Sequence, residues 1–134
     1  MKRTPEEELL AANAAFYDAF ATGDIEAMDE LWARTVPVAC VHPGWPALHG
    51  REEVMQSWRS ILLGEAPPEI RCEDARASLL GAAGTVVCVE RIGGDALVAS
   101  NVFVLENGIW QVAHHQAGPL ATESDAPPPG QRLN

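Results

Sequence analysis

The chain has 134 residues, of which 47% are hydrophobic and 21% are charged, a composition typical of one globular domain with a substantial core. Its formal net charge is −10, from 9 basic and 19 acidic residues, and no cluster of Lys or Arg interrupts this acidic balance. Because an acidic surface repels phosphate groups, we expect neither nucleic acid nor a membrane as a partner.

The N-terminus and the cysteines favour a cytoplasmic protein. The first ten residues, MKRTPEEELL, contain no apolar stretch of the kind found in signal peptides, and no run approaches membrane-spanning length. Cys40, Cys72 and Cys88 lie in apolar, strand-like runs without the spacing of a zinc site. We interpret them as buried free thiols of a reducing compartment.

Three helices are predicted in the first half of the chain. Thr4 begins the first, because Thr-Pro-Glu-Glu combines a capping box with proline at the first helical position. Asp24, after a glycine, is a suitable cap for the second. The predicted helices span about residues 5–21, residues 25–33, and a segment that begins at Gly50 and ends before Pro67.

A short β-branched run and four later extended segments predict a sheet. The connections between the later segments carry glycine, asparagine and aspartate, which indicates antiparallel hairpins. The order of elements therefore predicts an α+β fold with three N-terminal helices packed on one face of a mostly antiparallel sheet. The predicted strands cover about residues 36–41, 69–80, 84–92, 96–105 and 109–117.

One folded domain is expected over residues 1–118. Residues 119–134, which include ATESDAPPPGQRLN, are rich in proline and polar residues. Such a composition cannot build a core, so this segment is predicted to be a flexible tail.

Alternation along the strands assigns side chains to the two faces of the sheet. It places Glu90, Asn101 and His114 on the helix-covered face, each among apolar neighbours. Buried polar groups need partners, so these three bond either to one another in a core network or to a ligand. His115 is predicted to face away, although a β-bulge would reverse the two histidines.

The opposite face of the sheet carries a series of valines, which predicts an interface. A homodimer through this outer face is the simplest way to cover them. The residues are Val87, Val89, Val98, Val102 and Val104.

Several motifs in order resemble the SnoaL-like branch of the nuclear-transport-factor-two-like superfamily over about residues 5–118. The resemblance implies a cone-shaped α+β fold in which a strongly curved sheet wraps around a long helix and encloses a pocket. The superfamily includes ketosteroid isomerases, scytalone dehydratase, polyketide cyclases and non-catalytic binding modules, so the fold alone does not select a function. The matching segments are ATGD at 21–24 with the following Leu31-Trp32, the His42-Pro-Gly loop leading to GREE at 50–53, Trp58, SNVF at 100–103, and GIWQVAHH at 108–115.

Comparison with the ketosteroid isomerases implies roles for three positions. His42, before a proline, stands at the place of their general-base aspartate, and Asn101, two residues before Phe103, stands at that of their oxyanion-hole aspartic acid. Phe16 stands at the place of their oxyanion-hole tyrosine, and the adjacent Tyr17 would point about 100° away on a helix. Steroid isomerisation is therefore not expected.

His42 is the candidate base, because imidazole titrates near neutral pH. The alternative is a loop histidine bonded to a backbone carbonyl. Asn101 and His114 would polarise a substrate oxygen while Glu90 orients His114, or the three would satisfy each other as a core network. His42, His114 and Glu90 lack tight ligand spacing, so no metal site is predicted.

Trp45 lies in a loop between a glycine and a proline, where it is predicted to cover a pocket. Trp32 and Trp58 lie at helical spacing from other apolar residues, a pattern more typical of core packing than of a lid. The predicted pocket lining comprises Phe16, Phe20, Trp32, Trp45, Trp58, Cys88, Phe103 and Val112.

Two hypotheses about function follow. The first is a cofactor-independent lyase, isomerase or cyclase that acts on a small apolar carbonyl compound, with His42 moving the proton. The second is a non-catalytic module that holds an apolar or aromatic ligand or serves as a dimerisation unit.

Overall fold

The computed structural model describes residues 2–66 and 69–120, in which three helices cover one mixed, mostly antiparallel sheet. The strand order is β2-β1-β6-β5-β4-β3, with β1 parallel to β6 and the other neighbouring pairs antiparallel. The sheet is curved and open, which confirms the predicted α+β cone. The elements are α1 (Pro5–Thr22), α2 (Ile25–Leu31), β1 (Ala39–Val41), β2 (Leu48–His49), α3 (Arg51–Leu62), β3 (Ile70–Leu80), β4 (Ala83–Ile92), β5 (Asp95–Glu106) and β6 (Ile109–Pro119).

The helix ends follow the predicted capping signals. The Thr4 hydroxyl accepts from the Glu7 amide, and the Glu7 carboxylate accepts from the Thr4 amide, each at 3.1 Å. Gly23, with φ 68°, ends α1, and Asp24 accepts from the amide of Ala27 to begin α2. The second helix ends two residues earlier than predicted.

The sheet differs from the prediction at its first edge. β1 covers only the last three residues of the predicted strand 36–41, and β2 had no counterpart among the predicted strands. Two residues show no periodicity, and β2 exists because Ala39 and Cys40 pair with it across the connecting loop. At the other end of the chain β6 continues through Pro119, one residue into the predicted tail, and residues 121–134 lie outside the described residues.

A β-bulge in β6 decides which histidine faces the helices. Asn101 pairs with His115 but Phe103 pairs with Val112, which leaves one extra residue on β6. An extra residue reverses the alternation beyond it. His115 is therefore buried on the inner face, and His114 lies on the outer face, so the prediction that His114 points inward is wrong.

The interior is formed by α1 lying against β3 and β4. β4 alternates as predicted, with Val86, Cys88 and Glu90 buried beneath the helix. No helix in the described part of the chain is long and apolar enough to cross a membrane. Cys40 and Cys88 are buried and Cys72 is half-buried, all three as free thiols; the cytoplasmic location remains a prediction.

Gly84 in β4 permits close contact between the sheet and α1. A Cβ at Gly84 would lie 2.5 Å from Cδ2 of Leu9, which is completely buried. We expect Gly84→Ala to lower the free energy of unfolding by about 1–3 kcal/mol, because the core must shift to admit the methyl group. Urea denaturation measures the change. Gly118→Ala is the matched control, since its Cβ would meet nothing within 4 Å, and equal stability of the two variants would contradict this account.

Candidate active site

His42 directly follows β1 and is 3% exposed. Its ring meets the rings of Trp45 and Trp58 edge-on, with centroids 4.9 and 4.8 Å away. Its Nε2 lies 2.9 Å from the Oγ of Ser57 on α3. The hydrogen-bond partner of His42 is thus a side chain, in an aromatic setting, and not a backbone carbonyl.

The groups around His42 are uncharged at neutral pH. Burial lowers the pKa of His42 to about 4, so the imidazole is neutral. Cys40 Sγ lies 3.6 Å from Nε2 of His42, and burial raises the pKa of this thiol to about 12. The two side chains therefore form a thiol–imidazole contact and not a thiolate–imidazolium pair.

A second group of polar side chains, here named the interior polar cluster, lies between α1 and the sheet. All of its members are buried, and it links α1 to β4, β5 and β6. The cluster consists of Asn13, Tyr17, Glu90, Asn101 and His115.

Asn101 is the centre of the interior polar cluster. Its Nδ2 donates to Oδ1 of Asn13 at 2.9 Å and to the Tyr17 hydroxyl at 3.1 Å. Its Oδ1 lies 2.5 Å from Nδ1 of His115, which places the proton of His115 on Nδ1. Both ends of the Asn101 amide are therefore satisfied by protein groups.

Glu90 and His115 form a buried pair with suppressed charge. The Tyr17 hydroxyl donates to Oε2 of Glu90 at 2.6 Å, and the same oxygen lies 3.8 Å from Nε2 of His115. Burial raises the pKa of Glu90 and lowers that of His115 to about 3. His115 is therefore neutral at pH 7, because a positive charge on its ring would not be solvated here. Burial likewise raises the pKa of Tyr17, which stays a phenol.

Tyr17, Asn13 and Ser57 are site residues that the strand pattern does not reveal. Tyr17 was expected to point away from Phe16, but the sheet wraps far enough around α1 to bury both rings, whose centroids are 4.9 Å apart. Asn13 and Ser57 do carry a signal, since each lies at helical spacing from buried apolar residues. A polar residue within an apolar stripe is the feature that would have identified them.

The side chains predicted to line a pocket pack against one another. Phe16, for example, contacts Trp58 and Trp32, with centroids 5.6 and 6.5 Å away. The indole N–H groups of Trp32 and Trp58 are buried without an acceptor among the described residues. Seven of the eight are buried and Trp45 is 41% exposed; the buried ones are Phe16, Phe20, Trp32, Trp58, Cys88, Phe103 and Val112.

An open hollow of about 360 Å³ is lined by Ser57 and Trp45, both of which contact His42. Ser57 reaches its wall, so the Ser57–His42 pair is the part of the buried site closest to this opening. The lining residues are Trp45, Leu48, Glu53, Gln56, Ser57 and Ser60. A larger hollow of about 710 Å³ lies between α1 and the start of β6, but it contains neither histidine nor any member of the interior polar cluster.

The groups considered as metal ligands are not brought together. His114 lies on the outer face, away from Glu90 and His42. Among residues 2–66 and 69–120, no three His, Cys, Asp or Glu side chains are grouped so that they could hold a metal ion.

The cone of helices on a curved sheet, with polar groups inside it, defines a protein of the nuclear-transport-factor-two-like class. Residues 9–122 match the SnoaL-like domain, so the chain belongs to the family of SnoaL-like domains. This match confirms the resemblance found in the sequence.

Solved structures of this class agree with the assignment. A nuclear-transport-factor-two-like protein of Streptomyces avermitilis, whose name proposes a dehydratase, is 33% identical. The alignment covers 87% of this chain and 96% of that one, with a TM-score of 0.80. A protein of Thiobacillus denitrificans, named for a proposed calcium/calmodulin-dependent protein kinase type II association domain, is 30% identical. That alignment covers 88% of this chain and 96% of the other, with a TM-score of 0.75.

A plant protein matches in sequence as well. The F-box protein SKIP8 of Arabidopsis thaliana is 26% identical over 111 residues, which are 81% of this chain and 48% of that protein. The chain thus spans about half the length of the curated relative that it matches.

Proposed function

We propose that this protein is a cofactor-independent lyase, isomerase or cyclase that removes a proton from a small, largely apolar carbonyl compound, with His42 as the base. The observation that carries the proposal is a buried, neutral His42, bonded to Ser57 beside an open hollow. A neutral imidazole accepts a proton at neutral pH. The Streptomyces avermitilis relative, whose name proposes a dehydratase, supports this class of reaction.

The lowered pKa of His42 restricts the substrate. Desolvation weakens His42 as a base relative to free imidazole. The proton it removes must therefore be acidified by an adjacent carbonyl group. The net charge of −10 and the apolar setting favour a neutral, aromatic or aliphatic compound.

Donors for the substrate oxygen come from the interior polar cluster, whose His115 ring lies 6.3 Å from that of His42 between centroids. The amide hydrogens of Asn101 are already bonded, and His115 presents an unprotonated Nε2. The Tyr17 hydroxyl donates its one proton to Glu90, so in this proposal a substrate oxygen replaces Glu90 as the acceptor of that proton. The polarising role predicted for Asn101 and His114 thus passes, in this proposal, to the Tyr17 hydroxyl.

Replacement of His42 tests the proposed reaction. In D₂O, the protein should exchange the α-protons of at least one member of a panel of small aryl and alkyl ketones, followed by ¹H NMR. We expect His42→Gln to slow this exchange by about 100-fold or more, the usual contribution of a general base. His49→Gln, at an exposed histidine seven residues away, is the control and should exchange at the parental rate. Undiminished exchange by His42→Gln would remove His42 from the mechanism.

A non-catalytic association module is the second candidate. Two observations favour it: the interior side chains pack on each other, and the interior polar cluster satisfies its own hydrogen bonds. The Thiobacillus denitrificans relative, named for an association domain, supports it too. Absence of exchange for the whole ketone panel, together with stable self-association, would favour this candidate over the first.

A homodimer through the outer face of the sheet is part of both proposals. Val87 and Val98 are 44% and 38% exposed on neighbouring strands, beside half-buried valines. We expect Val98→Glu to convert a dimer into a monomer in light scattering coupled to size-exclusion chromatography, because it places a charge in an apolar interface. Val36→Glu, at a similarly exposed valine outside the sheet, is the control and should stay dimeric. A parent protein that is monomeric at all concentrations would contradict the interface.

A further inference from the structure

The hydroxyl of Ser57 has its proton committed to the backbone. Its Oγ lies 2.6 Å from the carbonyl oxygen of Val54 and 2.9 Å from Nε2 of His42. A carbonyl oxygen carries no hydrogen, so an O···O distance this short requires the hydroxyl proton between the two oxygens. Serine in a helix commonly donates to the carbonyl three or four residues earlier. Ser57 therefore offers His42 only a lone pair.

A lone pair on Ser57 determines which nitrogen of His42 carries hydrogen. Neutral imidazole has one N–H and one bare nitrogen. Since Nε2 faces an acceptor, Nε2 carries the hydrogen and Nδ1 is bare. We infer that Ser57 is a positioning residue that holds His42 in the Nε2–H tautomer, so that Nδ1 is its basic nitrogen; the catalytic meaning of this inference rests on the proposed function.

The surroundings of Nδ1 leave its lone pair free. Among the described residues, the only hydrogen-bonding contact of Nδ1 is with Cys40 Sγ at 3.9 Å, the length of a weak thiol contact at most. The same assignment excludes Ser57 as a nucleophile, because an activated serine must donate its proton to the histidine. The thiol of Cys40, whose pKa is raised, is not activated either.

The proton transfer can then be written on specific atoms. The α C–H bond of the carbonyl compound breaks, its electron pair is delocalised into the carbonyl as an enolate, and the proton forms a bond to Nδ1 of His42. The resulting imidazolium keeps its Nε2–H on the Ser57 oxygen, whose lone pair is held in place by the Val54 carbonyl. Ser57 thereby also stabilises the positive charge that develops on the ring.

The tautomer can be measured on the protein without any ligand. Long-range ¹H–¹⁵N correlation spectra of ¹⁵N-labelled protein at pH 7 distinguish the two neutral tautomers, and His42→Gln identifies the signals that belong to His42. We expect Nδ1 of His42 to resonate as an unprotonated nitrogen and Nε2 as a protonated one. The opposite pattern would overturn the inference even if every serine variant failed to fold.

Variants of Ser57 test its positioning role. Ser57→Ala should shift the His42 signals towards mixed tautomers and lower kcat for proton exchange by about tenfold with little change in KM. Ser57→Thr retains a hydroxyl and should restore both the tautomer and the rate. Ser78→Ala, at an exposed serine on β3 that does not line the hollow, is the control and should behave as the parent. Parental tautomer and rate in Ser57→Ala would overturn the positioning role.

The outcomes separate the inference from the proposed function. The Nε2–H pattern without exchange of any ketone would leave the inference standing and contradict the proposed reaction. Exchange that depends on His42, together with an Nδ1–H pattern, would support the proposed reaction and contradict the inference about the tautomer.

Discussion

Replacement of Asn101 by alanine is expected to lower the free energy of unfolding by about 3–5 kcal/mol, since each buried polar group left unpaired costs about 1–3 kcal/mol. Asn101 is completely buried and its amide bonds to three side chains. Its removal leaves the Oδ1 of Asn13 and the Nδ1–H of His115 without their partners, and it takes one donor from the Tyr17 hydroxyl. The truncation also creates a small cavity beneath α1, which adds to the cost.

Chemical denaturation with the parent and two variants measures this effect. Ser100→Ala is the matched control, because Ser100 precedes Asn101 on β5 and is exposed on the opposite face. It should change stability by less than about 0.5 kcal/mol. A loss below about 1 kcal/mol in Asn101→Ala would mean that water enters and replaces the missing amide.

Acidification is expected to destabilise the protein at pH values where most proteins are still at their most stable. His42 and His115 have folded pKa values of about 4 and about 3, against an ordinary value of 6.5. Between these values the unfolded chain binds protons that the folded protein does not, so stability falls as pH falls. Each such group contributes about 1.4 kcal/mol per pH unit.

Glu90 acts in the opposite direction. Burial raises its folded pKa above the ordinary 4.5, so its contribution to stability is present below pH 4.5 and is lost as pH rises through the folded value. Because two histidines act against one carboxyl group, we expect a net loss of stability from pH 6.5 to pH 4.5.

Urea denaturation at pH 6.5 and 4.5 measures this loss of stability. The Glu90→Gln variant separates the contribution of Glu90 from that of the two histidines. The glutamine cannot take up a proton, so the acid loss should increase to about 4 kcal/mol. His49→Gln, at an exposed histidine, should leave the slope unchanged. The comparison stops at pH 4.5 because other carboxylates titrate below that pH. Hydrogen bonds lower the pKa values of the surface residues Glu7, Glu73 and Glu106. A stability that rises from pH 6.5 to pH 4.5 would contradict the lowered pKa values of His42 and His115.

Much of the scaffold could be predicted from local sequence. The capping box of Thr4 and Glu7 and the cap at Asp24 depend on atoms within four residues of each other, so the sequence contains the whole interaction. The alternation of Val86, Cys88 and Glu90 is local in the same sense, and the structure buries all three.

The site depended on contacts between distant residues. His42 and Ser57 are 15 positions apart, and Asn13 and Asn101 are 88 positions apart. No spacing rule within one segment identifies such pairs. Tyr17 is buried because the curved sheet encloses a wider face of α1 than a flat sheet would cover.

The sequence by itself determined the helices, the hairpins, the family and the inward placement of Glu90 and Asn101, because helix caps and periodic burial depend on residues that are close in sequence. The tertiary structure alone decided that His115 and not His114 joins Asn101, since a single extra residue in β6, whose register is set by pairing with β5, reverses every side chain beyond it.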